Sequence, residues 1–189
     1  MSTLSNQTKT RCSFFSTNIR YKMCFFKLWY ILVYTLFIYR LIETFEKRKV
    51  DYAIAGGYAV ALHGAVRGTV DIDIVLRFTK KNLFAAEAAL ADLGLKSRLP
   101  LKGDEVFDFR EEYIRNRNLL AWNFINISNP TESVDIILTE DLRNLKTKRI
   151  RSDRKTLWVI SIDDLIKMKE KSNRKQDIED IKALRSLKK

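Results

Sequence analysis

The chain has 189 residues, 46% of them apolar, with two prolines and six glycines. That composition fits one domain with a real core, with or without an appendage, and excludes a collagen-like or broadly disordered polymer. The formal net charge of +12 points to polyanionic partners: nucleic acid, a nucleoside triphosphate or an anionic membrane surface. The plainer alternative is charge kept for solubility.

Residues 1–22 are polar and basic without periodicity, and are expected to be poorly ordered and dispensable. Residues 24–39 (CFFKLWYILVYTLFIY) form an apolar, aromatic run with a basic flank upstream. A membrane helix needs roughly 20 predominantly apolar residues. This run is shorter and is interrupted by Lys27, so a helix packed on the domain is expected in preference to an anchor. The expected organisation is an extension over residues 1–35, partly disordered or helical, and a domain over 36–189. The only cysteines, Cys12 and Cys24, form no CxxC pattern and no disulfide framework, which fits a reducing, cytoplasmic compartment.

From Leu36 the pattern turns amphipathic and ends in EKRK, a cationic helix end. A short strand over 52–55 stops at Gly56-Gly57, and a short helix runs to His63, the single histidine. Alternation of acid and apolar residues over 71–78 (DIDIVLRF) predicts a strand. The alanine-rich stretch 82–93 predicts a helix closed by Gly94. Residues 95–118 carry no clear period. Strands are expected over 119–127 and 133–138 around the turn NPTE, and again over 157–160. A basic stretch, 143–155, lies between them, and helices are expected over 162–171 and 176–187. This order implies an α/β or α+β fold: a small mixed sheet flanked by helices, with helices at the C-terminal end.

The chemistry concentrates in Ala55 to Leu76, AGGYAVALHGAVRGTVDIDIVL. Residues i and i+2 of a strand share a face, so Asp71 and Asp73 project side by side while Ile72 and Ile74 face the core. Two neighbouring carboxylates repel unless a cation lies between them, and Mg²⁺ suits such oxygen ligands. Asp135, flanked by Val134 and Ile136, is a third acid in an apolar strand and needs a partner if buried. Three such acids could hold the ions of an in-line phosphoryl displacement. Gly56-Gly57, between a strand and a helix, would let backbone N–H groups approach a phosphate.

In combination these residues resemble the nucleotidyltransferase superfamily of DNA polymerase beta, the CCA-adding enzymes and the aminoglycoside nucleotidyltransferases. Its signature is an apolar strand, Gly-Gly or Gly-Ser, Asp-x-Asp or Asp-x-Glu, and a later third acid. Gly56, Gly57, Asp71, Asp73 and Asp135 match it. Arg67 and Thr69, in Arg-x-Thr-x-Asp-x-Asp, and Lys169, Arg174, Asp177 and Asp180 near the C-terminus resemble small prokaryotic abortive-infection toxins of this superfamily. The resemblance covers roughly residues 40–187.

It implies a metal-dependent transferase that moves a nucleoside monophosphate from a triphosphate to an acceptor hydroxyl. Asp71, Asp73 and Asp135 are the expected catalytic acids and ligands of Mg²⁺ or Mn²⁺. Gly56, Gly57, Arg67, Thr69, Lys169 and Arg174 are the expected nucleotide contacts, with Arg67 alternatively clamping Asp135. Acceptors would be tRNA or other RNA, protein or a small molecule, and a cognate antitoxin would be a partner if the chain is a toxin. Asp177 and Asp180 are expected to fix the final helices, and His63 to pack or orient rather than act as a base. The alternatives are a non-catalytic RNA- or partner-binding module of the same fold, and a membrane-tethered interaction protein using residues 24–42.

Overall fold

A computed structural model describes residues 36–151 and 155–188. The expectations for residues 1–22, and for the apolar run as far as residue 35, lie outside those residues. The described chain begins in a helix, α1 (residues 36–47). Then come β1 (Tyr52–Ile54), α2 (Gly56–Leu62), β2 (Ile72–Leu76), α3 (Lys80–Asp92), β3 (Leu95–Ser97), α4 (Gly103–Asp108) and α5 (Arg110–Arg117). β4 (Ala121–Asn126), β5 (Ser133–Ile137), β6 (Thr147–Arg151), β7 (Thr156–Ile160), α6 (Ile162–Ser172) and α7 (Lys175–Ser186) complete it.

The strands form one mixed sheet in the order β3-β4-β5-β2-β1-β7-β6. The pairs β2–β5 and β1–β7 are parallel, and the other four are antiparallel. Register divides the sheet into two unlike faces, because paired residues share a side. On one face Trp122 pairs with Ile136, Ile136 with Ile74, Ile74 with Ile54, and Ile54 with Val159. These side chains, with Ile72, Leu76, Phe124, Val134 and Leu157 beside them, are all buried. The helix α1 packs on this face: Phe37, Ile38, Leu41, Ile42 and Phe45 are buried, and the Phe45 ring meets Tyr52 edge-on at 5.1 Å.

The other face is mixed: Ala53 and Val75 are fully buried on it, beside a polar group. It carries Asp73 opposite Asp135, and Asp135 opposite Asn123. The α-helices end where local chemistry ends them. Thr79 accepts the Asn82 N–H to start α3 (3.3 Å), and Gly94, at φ +80°, follows its end. Ser161 starts α6, and Asn173 closes it in the left-handed conformation at φ 49°.

Four elements lie where no clear strand or helix pattern was read. The strand β3 has only three residues. In α4, Gly103 and Val106 are buried, whereas α5 (REEYIRNR) buries none of its residues and so shows no apolar stripe. The strand β6 (TKRIR) forms the sheet edge and is exposed at all but Ile150, which packs against the core, so its sequence carries no alternation of apolar and polar residues. Among the described residues no helix is long and apolar enough to cross a membrane.

Replacing Phe45 by alanine removes the ring that joins α1 to β1 and should cost about 3–5 kcal/mol in urea unfolding. Lys47→Ala, on the exposed side of the same helix, should stay within about 0.5 kcal/mol of the parent.

Candidate active site

The strand β1 runs into Gly56, whose backbone takes the left-handed conformation at φ +57°. A Cβ built there would lie 1.8 Å from Oδ2 of Asp73, so the carboxylate fills the space that any larger residue would need. Gly57 donates its N–H to Asp73. A Cβ on Gly57 would come within 2.8 Å of the Thr69 side chain. The chain is fastened at the same point by the Ala55 N–H, which donates to the Asp73 carbonyl at 2.8 Å. The Gly-Gly pair therefore lets the start of α2 close against the acids.

Asp71 lies just before β2, on the side of Asp73, and its carboxylate accepts from the Ser133 hydroxyl. Asp135, in register with Asp73 on the neighbouring parallel strand, accepts from the Asn123 amide. Burial, then the charges of Asp135 and Asp71, push the Asp73 carboxyl up to about 6, although Lys169 and the Gly57 N–H oppose this. Burial also raises Asp135, against the Asn123 hydrogen bond and the positive charge of Arg98.

These acids line a cleft of about 560 Å³. Every site residue expected from the sequence lines it: Gly56, Gly57, Arg67, Thr69, Asp71, Asp73, Asp135, Lys169 and Arg174. The cations stand differently from a set of free phosphate ligands. Lys169 is buried, with its ammonium 3.1 Å from Asp177 and 2.7 Å from Asp180. Arg67 lies 3.2 Å from Asp180 through Nε, so its carboxylate partner is Asp180 and not Asp135. Asp177 also accepts from the Arg174 N–H (3.1 Å) at the start of α7 and from Ser172. Burial would raise its pKa, but these donors and Lys169 hold it below the ordinary carboxylate value. The expected structural role of Asp177 and Asp180 is thus realised through Lys169 and Arg67.

His63 packs between elements, as expected. Its Nε2 lies 2.8 Å from the Ile160 carbonyl, and burial lowers its pKa. The sequence reading missed Asn123, Ser133 and the Lys171–Glu140 pair (2.8 Å). Asn123 carried a usable signal: it is a polar residue between Trp122 and Phe124, on the same strand phase as the acids.

The donor set fits a hard divalent cation: three carboxylates on one side of the sheet, one with its pKa raised by burial and then by the charges of the other two. Among the described residues, however, no three Asp, Glu, His or Cys side chains close around one point. Ser133 and Asn123 each hold one oxygen of Asp71 and Asp135.

The chain belongs to a nucleotidyltransferase family, described as nucleotidyltransferase of unknown function (DUF6036), whose model matches residues 37–188. No curated protein matches the sequence. Among solved structures, the fold is similar to the lincomycin-bound lincosamide antibiotic adenylyltransferase LnuA. Identity is 18% and the TM-score 0.56, over 80% of this chain and 96% of that one. It is also similar to the antibiotic-resistance factor ANT(2″)-Ia, with 13% identity and a TM-score of 0.54, over 81% and 83% of the two chains. The mixed sheet with its flanking helices is therefore a nucleotidyltransferase fold.

Two outcomes follow for protein free of divalent cations. The Asp73 carboxyl is harder to ionise folded than unfolded. Its contribution is therefore favourable below pH 4 and is lost as pH rises through about 6. Asp73→Asn should remove a penalty on the order of 2–3 kcal/mol at pH 7 and raise the melting temperature there by several degrees. The gain should disappear below pH 4. Lys169→Ala leaves Asp177 unpaired and Asp180 with Arg67 alone, and should cost about 3 kcal/mol in urea unfolding. Lys167→Ala removes an exposed ammonium from Asp164, which keeps its bonds to Ser161 and the Lys146 N–H, and should cost far less.

Proposed function

We propose that the chain transfers a nucleoside monophosphate from a triphosphate to an acceptor hydroxyl, in a reaction dependent on Mg²⁺ or Mn²⁺. The observation that carries this reading is the in-register pair Asp73–Asp135, with Asp71 beside it, behind a Gly-Gly turn whose missing side chain makes room for the Asp73 carboxylate. Bound by Asp71, Asp73 and Asp135, a divalent ion would neutralise phosphate charge and acidify the acceptor hydroxyl.

The chain's own groups account for the rest. Gly56 and Gly57 keep the wall of the cleft free of side chains, so that phosphate can come close to backbone. The acceptor oxygen attacks the α-phosphorus, the bond to pyrophosphate breaks, and the hydroxyl proton passes to Asp135. Burial raises the pKa of Asp135, which makes it a better proton acceptor than an ordinary carboxylate. Asn123 fixes that carboxylate's orientation. Of the cations lining the cleft, Arg174 is exposed and free to follow phosphate. Lys169 and Arg67 are offset by Asp177 and Asp180, and Lys169 acts on the cleft through its nearness to Asp73.

The acceptor class divides into RNA, protein and small molecule. The charge of +12 favours RNA. LnuA and ANT(2″)-Ia, whose structures hold lincomycin and adenylyl-2″-tobramycin, favour a small molecule. A toxin role with an antitoxin partner rests on the motif resemblance through Arg67, Thr69, Lys169 and Arg174.

The test is incubation of the full chain with each α-labelled triphosphate, Mg²⁺, and either total tRNA or cell extract. Label should pass to an acceptor and stop on chelation. It should fall at least about 100-fold in Asp73→Asn, Asp135→Asn and Gly56→Ala, the loss expected when phosphate-side charge or positioning is removed. Mg²⁺ or Mn²⁺ should also raise the melting temperature of the parent and not of Asp73→Asn. A parent chain inert with all four triphosphates and unmoved by either ion would instead be a non-catalytic module of this fold.

A further inference from the structure

Outside the cleft, the most concentrated unpaired charge lies at the far edge of the sheet. The strand β6 presents Lys148, Arg149 and Arg151 to solvent within five residues, and none pairs with an acid among the described residues. Beside it, Trp158 of β7 is 42% exposed, unusual for so large an apolar side chain. Arg149 is its cross-strand partner, and the guanidinium lies 5.6 Å from the ring centroid. Register carries this pair to the mixed face. Val75 lies opposite Ala53, Ile54 opposite Val159, and Trp158 opposite Arg149, which sets Trp158 and Arg149 on the side of Asp73. Trp158 also walls a cleft with Arg77 and Arg143, where the acids Glu46 and Asp51 balance the charge. The excess of cations is therefore on the strand itself.

We infer that the β6–β7 edge binds a single-stranded polynucleotide, with a base stacked on the Trp158–Arg149 platform and phosphates on Arg149 and Arg151, while Lys148, on the other side of the strand, adds to the positive charge of the edge. An aromatic face stacks any base, and flanking cations follow the backbone, which is the chemistry of sequence-tolerant single-strand binding. Exposed cations without acidic partners release counterions when phosphate arrives. An anionic membrane surface would meet the same charges. It offers no planar group to match the indole–guanidinium stack. The surface is separate from the catalytic cleft and does not require it to be active.

The test is fluorescence anisotropy of the full chain with a labelled oligouridylate of about 12 nucleotides, within the usual site size, across a salt series. Trp158→Ala should weaken binding about 5- to 150-fold, the span for loss of one stacked base. The triple variant Lys148→Ala, Arg149→Ala, Arg151→Ala should weaken it further and flatten the logarithmic salt slope by about 2. A control triple, Lys167→Ala, Lys182→Ala, Lys188→Ala, removes equal charge elsewhere and should bind like the parent. Asp73→Asn should also bind like the parent, so a failed catalytic reading leaves this one standing.

The proposal is overturned if the control triple loses as much as the β6 triple, if Trp158→Ala binds normally, or if Asp73→Asn abolishes binding. It is equally overturned if the parent ignores the oligonucleotide and binds phosphatidylserine vesicles. Circular dichroism of each variant separates loss of the surface from loss of the fold.

Discussion

Asp73 and Asp135 face each other because β2 and β5 are parallel and in a register that pairs 72 with 134 and 74 with 136. The apolar residues on either side must face the core, so the acids between them must face the other way, together. A slip of one residue in either strand would turn its acid into the core and an isoleucine or valine into the cleft. The burial of Ile72, Ile74, Val134 and Ile136 therefore stabilises an arrangement that the acids themselves resist. That resistance, from burial first and mutual repulsion second, is visible in the raised carboxyls of Asp73 and Asp135. Core packing and carboxylate repulsion are set against each other along the same two strands.

The polar surroundings answer this repulsion in two ways. Close in, single hydrogen bonds moderate it: Ser133 to Asp71, Asn123 to Asp135 and the Gly57 N–H to Asp73. Farther out, Lys169 lowers the Asp73 carboxyl through space while its own ammonium is held by Asp177 and Asp180. Those two acids belong to α7, Lys169 to α6, and Arg67 to the loop between α2 and β2. One buried ion cluster thus ties both C-terminal helices to the loop that carries Thr69 and leads to Asp71. An ammonium with two buried carboxylate partners is fixed in direction and cannot swing out of the wall without leaving charges unpaired.

Much of the fold could be read from the sequence wherever one side of an element is buried. The strands β1, β2, β4, β5 and β7 and the helices α3, α6 and α7 all carry apolar residues at the spacing their structure imposes. Of the four elements that escaped, α5 and β6 bury almost nothing, so their sequences obey solubility and not the core, and β3 and α4 have only three and six residues, too few to show a period. The three acids stood out for a related reason: each adjoins or interrupts an apolar strand, where a carboxylate needs a partner. Lys169 gave no such sign. On a helix with Lys167 and Lys171 nearby it looks like part of a charged surface, and only its spacing from Leu165 and Ile166, on the buried stripe of α6, sets it apart. Ion-pair partners far apart in sequence, such as Arg67 and Asp180, follow no local period at all.

The two faces of the sheet also explain how one small domain could keep its chemistry while changing its acceptor. The core face is fixed by packing: Trp122, Ile136, Ile74, Ile54 and Val159 form an unbroken buried row, and changing any of them opens a cavity. On the opposite face Ala53 and Val75 are buried as deeply, but towards the cleft and the β6 edge that constraint lapses. Ala121, Ile137 and Thr139 line the cleft near Asp135 without full burial, and Trp158 and Arg149 are exposed. Substitutions there change what the surface can hold at little cost to folding. Low identity to LnuA and ANT(2″)-Ia alongside a shared fold fits this division. Burial preserves the scaffold, whereas the open face is free to vary. The specificity of this chain should therefore be sought in residues that the core does not need.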